Sequence, residues 1–92
     1  MSPDSIAAVV DGLMPQLTKE LVQLTRIPSI SAPGYPVEPI HEACQLVMAL
    51  LRDAGVGSVR TLDLPNTFPV VLGDIPAPPG APTLLLYSHY DV

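Results

Sequence analysis

The residues whose types and spacing could do chemistry stand together in the sequence LYSHYDV, from Leu86 to Val92. Alternate residues of an extended segment share a face, so His89 and Asp91 point one way and Tyr90 points the other. A carboxylate two residues from an imidazole can accept the proton of one ring nitrogen, which leaves the other nitrogen free to bind a metal. The pattern therefore predicts an oriented metal ligand, although the same polar pair could simply cap the end of a strand.

Two other hydrolytic sites do not fit this segment. Ser88 is next to His89, but neighbouring residues of a strand face opposite ways, so this serine cannot easily use this histidine as its base. A metallo-β-lactamase-like cluster needs a second histidine two residues earlier, where the chain has Tyr87. Elsewhere, His41 is expected to be solvated or at the edge of the core, and Cys44 to be a small buried apolar residue rather than a reactive thiol.

The elements that must position this segment begin with an amphipathic helix. Asp4 or Ser5 could cap its start, while Gly12 and Pro15 predict a kink or a break between residues 11 and 15. The apolar stripe keeps its phase across that point. Its members are Ile6, Val9, Val10, Leu13, Leu17, Leu21 and Leu24.

A second helix is predicted from about Pro39 to Ala54, after the irregular connection Arg26–Pro39. Proline suits a first helical position, and Gly55 supplies the left-handed residue that ends the helix. The spacing of its apolar residues predicts one buried face. That face consists of Ile40, Ala43, Cys44, Val47, Leu50, Leu51 and Ala54.

Beyond Gly57 the pattern changes to that of strands. Ser58–Leu64 alternates imperfectly, with Leu62 and Leu64 on one face, and Pro69–Ile75 should form a hairpin-like pair with it. Thr83–Tyr87 is apolar on both faces, as in a central strand covered on both sides. The order of elements predicts an α/β fold, a three-layer α/β/α arrangement with a mixed sheet, of which the chain holds two helices and about three strands.

The composition limits the possible partners. Only 14% of the 92 residues are charged, against about 25% in an ordinary soluble domain, so apolar faces are expected to pack against further protein. A net charge of −5 with four basic residues argues against a nucleic-acid or membrane partner. Acidic residues near the start argue against a secretion signal, and a lone cysteine suits a reducing cytosol, so we expect a cytoplasmic protein.

The chain as a whole resembles the N-terminal part of a zinc-dependent exopeptidase family. That family includes acetylornithine deacetylase, succinyl-diaminopimelate desuccinylase, carboxypeptidase G and the carnosinase-like dipeptidases. The matching stretches, in order, are LVQLTRIPSIS, LLRDAGV, SVRTLDL, PVVLGDI and PPGAPTLLLYSHYDV. The last stretch is most similar to the dipeptidase branch, whose usual form has glycine where this chain has Ser88.

The resemblance implies roles for the two candidate residues. His89 matches a ligand of one metal in a two-zinc site, and Asp91 matches the neighbouring active-site aspartate that steers this histidine. The parent enzyme would hydrolyse peptide or N-acyl amide bonds of small, dipeptide-like substrates and could be a homodimer. The remaining ligands and the general base of such enzymes come later in the chain, so residues 1–92 are expected to be the front of a longer catalytic domain.

Two consequences follow for the chain by itself. Zinc needs about three or four protein ligands, so the isolated chain should be inactive and should bind zinc no better than a surface histidine does. The alternative is that the short chain is itself the product and is a non-catalytic binding or assembly protein that uses its apolar surface.

Overall fold

A computed structural model describes residues 2–92 as a small α/β domain. Helix α1 (Pro3–Arg26) and helix α2 (Glu38–Asp53) precede strands β1 (Ser58–Leu62) and β2 (Val70–Asp74). The two strands form an antiparallel pair whose register begins with Ser58 opposite Asp74 and ends with Leu62 opposite Val70. The predicted pairing of the two strands is therefore confirmed. Within residues 2–92, no helix combines the length and the apolar character needed to cross a membrane.

Helix α1 begins earlier than the sequence suggested. Its N-cap is Ser2, whose hydroxyl accepts a hydrogen bond from the backbone N–H of Ser5 at 3.2 Å. The prediction of Asp4 or Ser5 as the cap is wrong. Pro3 explains the difference, because its fixed φ angle suits the first helical turn and its missing N–H would have no partner there.

Helix α1 also continues through Pro15, so of the predicted kink or break between residues 11 and 15 the break is wrong, and the kink stays a prediction. A proline inside a helix leaves the carbonyl four residues earlier, here that of Asp11, without its partner. Both residues are exposed, so water can satisfy that carbonyl. The chain therefore keeps one helix of 24 residues.

The core is built around helix α2. Its start and end lie one residue before the predicted ones, and Gly55 has the left-handed φ of 98° that was expected after the helix. The buried apolar residues are Ile40, Ala43, Cys44 and Met48. Three predicted members of the face are only half-buried, and these are Val47, Leu50 and Leu51. Ala54 is exposed, so its predicted burial is wrong.

Strand β1 buries the face of Val59 and Thr61 more than the face of Leu62 and Leu64. Val59 and Thr61 are half-buried, whereas Leu62 and Leu64 are 40% and 48% exposed. A shift of one residue in a strand exchanges its two faces. The imperfect alternation did not fix which face is inward, and the more buried face carries two β-branched side chains.

Thr83–Tyr87 is not the predicted buried strand in this chain. It has no regular secondary structure, and Leu84, Leu85, Leu86 and Tyr87 are 80–90% exposed. A strand that is apolar on both faces needs strands beside it and a layer over each face. Residues 2–92 form a sheet of only two strands, so this segment lacks those neighbours and the prediction of its burial is wrong here.

Candidate functional site

The two candidate residues contact each other directly. Nδ1 of His89 lies 2.9 Å from Oδ1 of Asp91, the distance of a hydrogen bond. The His89 side chain is 74% exposed and that of Asp91 is 36% exposed. Among the described residues nothing hydrogen-bonds Nε2, so the imidazole presents that nitrogen to solvent. The contact expected from the spacing is present, while the roles of ligand and active-site residue stay predictions.

A serine from a distant part of the chain holds the other oxygen of the carboxylate. Ser31, in the loop between α1 and α2, donates from Oγ to Oδ2 of Asp91 at 2.6 Å. This hydrogen bond, followed by that from His89, lowers the pKa of the Asp91 carboxyl below its ordinary value. The carboxylate is therefore ionised at neutral pH and is shared between a hydroxyl and an imidazole.

The backbone of the residues before and after Asp91 is hydrogen-bonded to the same loop between α1 and α2. The N–H of Val92 donates to the carbonyl of Ser29 at 3.0 Å. The hydroxyl of Ser29 in turn donates to the carbonyl of Tyr90 at 3.4 Å. Ser29 is fully buried, so this link joins the segment to the inside of the domain.

Tyr90 anchors the segment to the sheet. Its hydroxyl donates to the carbonyl of Pro69, directly before β2, at 2.6 Å. Burial raises the pKa of Tyr90 to about 12, with a further contribution from the neighbouring Cys44. The side chain therefore stays a neutral hydrogen-bond donor throughout the physiological range.

The other two candidates of the sequence take no part in the pair. His41 is exposed on helix α2. Cys44 is buried, and burial raises the pKa of its thiol. A protonated, buried thiol is a poor nucleophile and a poor metal ligand, which agrees with the structural role expected of this cysteine.

The described residues do not contain a complete metal site. Across residues 2–92, no group of three or more His, Cys, Asp or Glu side chains comes together in a way that could hold a metal ion. A histidine whose second nitrogen is held by a carboxylate does fit one ligand of such a site. The chemistry of this donor set thus agrees with a single ligand and not with a complete coordination sphere.

Sequence reasoning missed the residues that hold this pair in place. Ser29 and Ser31 lie about sixty positions before Asp91, and neither was connected with it. The only signal was that the stretch RIPSIS is one of the segments that carry the family resemblance. Tyr90, which lies between the two candidate residues, was predicted only to face the opposite way. The structure adds its hydrogen bond to the carbonyl of Pro69.

The chain is similar to a known enzyme. The Cys-Gly metallodipeptidase DUG1 of Saccharomyces cerevisiae is 26% identical to it over 99 aligned residues, which cover 96% of this chain and 21% of the yeast protein. The chain thus spans about a fifth of the length of this relative. No family model matches the chain, and no solved structure matches it. The similarity suggests a metallodipeptidase-like family, and it does not separate the members of the wider exopeptidase group.

Proposed function

We propose that residues 1–92 form the N-terminal part of the catalytic domain of a metal-dependent hydrolase that cleaves peptide or N-acyl amide bonds of small, dipeptide-like substrates. The observation that carries the proposal is the pairing of His89 with Asp91 in a chain that aligns with a metallodipeptidase over 96% of its length. In this proposal the enzyme works in a reducing cytosol and can be a homodimer.

Within this function, Nε2 of His89 is one ligand of a zinc ion in a site of two metals. Zinc in such enzymes polarises the scissile carbonyl and lowers the pKa of the attacking water. Asp91 holds the proton on Nδ1, so the neutral imidazole keeps its free lone pair on Nε2. The described residues offer a single ligand, so the other ligands and the general base belong to further residues of a longer chain.

The exposed apolar segment fits the same proposal. Leu84, Leu85 and Leu86 are all at least 80% exposed, and two residues separate them from the polar pair. Further strands and helices beside them would complete a three-layer α/β/α fold with Thr83–Tyr87 as a central strand. Ligand sites in such sheets gather at the carboxyl ends of the strands, which is where His89 would then lie.

A chimeric enzyme tests this function. Residues 1–92 replace the aligned segment of the yeast metallodipeptidase, and both Cys-Gly hydrolysis and the zinc content of the purified protein are measured. We expect an active chimera whose activity falls by roughly two orders of magnitude or more in His89→Ala, because loss of a metal ligand affects binding and chemistry together. His41→Ala, at the exposed histidine of α2, is the matched control and should leave activity unchanged.

The outcomes separate the possible failures. A folded chimera with full zinc content and no hydrolysis would contradict the proposed reaction. Activity that survives His89→Ala would contradict the role of this histidine.

The chain by itself gives a second test. Titration calorimetry with zinc on purified residues 1–92 should show no sub-micromolar binding, and a dipeptidase assay should show no metal-dependent turnover, because a single imidazole leaves most of the coordination to water. Tight binding that disappears in His89→Ala but not in His41→Ala would show a complete site within these residues.

The exposed apolar surface also supports a different function, that of a non-catalytic binding or assembly protein. The observation that favours it is the same run from Leu84 to Leu86, because large exposed apolar patches often mark interaction sites. Native mass spectrometry of the protein from its own cells distinguishes the two. A stable species of 9.7 kDa, or a defined complex of it, would support the assembly function, and a longer polypeptide would support the hydrolase.

A further inference from the structure

The loop between the two helices touches the candidate site at one exposed side chain, Ser31. We propose that Ser31 is a positioning residue that acts through Asp91 to fix the tautomer and the orientation of His89. The proposal rests on the proposed metallodipeptidase function, because a fixed tautomer of His89 matters only if Nε2 binds a metal. The hydrogen bonds that carry it are independent of any metal.

The geometry makes Ser31 the group that sets the plane of the carboxylate. One oxygen of Asp91 faces Nδ1 of His89 at 2.9 Å, and the other accepts from Ser31 at 2.6 Å. The terminal torsion of an aspartate is broad, and this side chain is 36% exposed, so packing alone does not hold it. With both oxygens engaged, the carboxylate cannot rotate without losing a hydrogen bond.

The loop is well suited to this task because its distance from the pair is fixed by other contacts. The carbonyl of Ser29 accepts from the N–H of Val92, and the hydroxyl of Ser29 donates to the carbonyl of Tyr90. Ser29 is fully buried, whereas Ser31 is exposed. The first serine thus fastens the loop, and the second has no packing role that would explain its contact with Asp91.

Ser31 is not placed to be a nucleophile. Its hydroxyl donates to the carboxylate of Asp91 and not to a nitrogen of His89, and the lowered pKa of Asp91 makes this carboxylate a weak base. The arrangement differs from a serine hydrolase triad, in which the histidine lies between the serine and the carboxylate. The remaining role for this hydroxyl at the site is orientation.

The test reads the tautomer of His89 directly in the metal-free chain. Long-range ¹H–¹⁵N spectra of the whole chain are recorded at alkaline pH, in the range where the ring ¹⁵N shifts of His89 no longer change with pH. In the native chain we expect the tautomer with the proton on Nδ1 to dominate. In Ser31→Ala the ratio of the Nδ1–H to the Nε2–H form should fall roughly three- to fivefold, the effect of one modest hydrogen bond.

Matched variants separate a positioning role from a structural one. Ser31→Thr keeps the hydroxyl and should keep the native tautomer ratio. Valine has nearly the same shape as threonine but no hydroxyl, so Ser31→Val should lower the ratio as Ser31→Ala does. Ser88→Ala removes a hydroxyl next to His89 that takes part in no hydrogen bond among residues 2–92, and it should leave the ratio unchanged. If Ser31→Ala disturbs the backbone amide spectrum, the comparison of threonine with valine decides.

An unchanged ratio in both Ser31→Ala and Ser31→Val would overturn the proposal, and so would an equal fall in Ser31→Thr and Ser31→Val. The readout needs neither metal nor substrate. An inactive chimera with a normal tautomer response would therefore reject the hydrolase and leave the positioning role intact. An active chimera without that response would reject the positioning role alone.

Discussion

Removing one hydroxyl should loosen the segment that carries the candidate site. The hydroxyl of Tyr90 donates to the carbonyl of Pro69 across a half-buried contact of 2.6 Å. In Tyr90→Phe the ring keeps its packing, while this hydrogen bond and the weaker contact of the hydroxyl with the Cys44 thiol are lost. Such a bond contributes about 1 kcal/mol, and since 1.4 kcal/mol is about tenfold in an equilibrium constant, opening of the segment should become about fivefold more frequent.

Amide hydrogen exchange followed by NMR measures this opening. The N–H of Val92 is bonded to the carbonyl of Ser29 at 3.0 Å, so its exchange reports release of the segment from the loop. Local opening of this kind governs exchange when its free energy is below that of global unfolding. The protection factor of the Val92 amide should therefore fall about fivefold in Tyr90→Phe.

The matched control is Tyr87→Phe, which removes a hydroxyl from a side chain that is 90% exposed. It should leave the protection of Val92 unchanged. The reasoning is refuted if Tyr90→Phe has no effect on this amide, or if the two variants lower its protection equally. Either result would mean that the bond to Pro69 does not hold the segment.

Three further predictions concern stability and titration. Ile40 is 1% exposed and Ile6 is 49% exposed, so in urea unfolding Ile40→Ala should lose about 2–5 kcal/mol and Ile6→Ala much less; equal losses would contradict the assigned core. The pKa of Asp91 lies below its ordinary 3.8, chiefly because of Ser31, so any stability it contributes is present above that pH and is lost as the pH falls through the lowered pKa. In Ser31→Ala this pKa, followed by ¹³C NMR of the carboxyl, should rise, and an unchanged value would show that the hydrogen bond is weak. Burial raises the pKa of Tyr90 from 10.0 to about 12, so the stability that this hydroxyl contributes is complete below pH 10.0 and is lost as the pH rises through about 12. The titration is followed as the ultraviolet difference between the native chain and Tyr90→Phe, and a midpoint near 10.0 would refute this.

The elements that depend on local patterns were predictable from the sequence. The periods of both helices and the glycine after α2 were identified because these features follow from spacing and backbone preference over a few residues. The antiparallel pairing of β1 with β2 follows from the turn residues between two short apolar runs. The break predicted at Pro15 was wrong because the rule that prolines end helices takes no account of solvent. The carbonyl that loses its partner belongs to the exposed Asp11, where water can bind it.

The inward face of β1 and the surroundings of Thr83–Tyr87 were not predictable in the same way. The first depends on which side of the hairpin is covered by the rest of the domain, and Val59 and Thr61 are half-buried whereas Leu62 is exposed. The second depends on neighbouring strands, which a run of apolar residues requires but does not itself provide. Both are properties of packing between elements.

The candidate site also has one part that was predictable from the sequence and one part that was not. The sequence by itself determined that His89 and Asp91 share a face, because a spacing of two residues in an extended segment fixes this without any other part of the chain. Only the tertiary structure decided that Ser31 holds the second oxygen of the carboxylate. A hydrogen bond between residues sixty positions apart depends on how helices and sheet bring two loops together, and no local pattern encodes that distance.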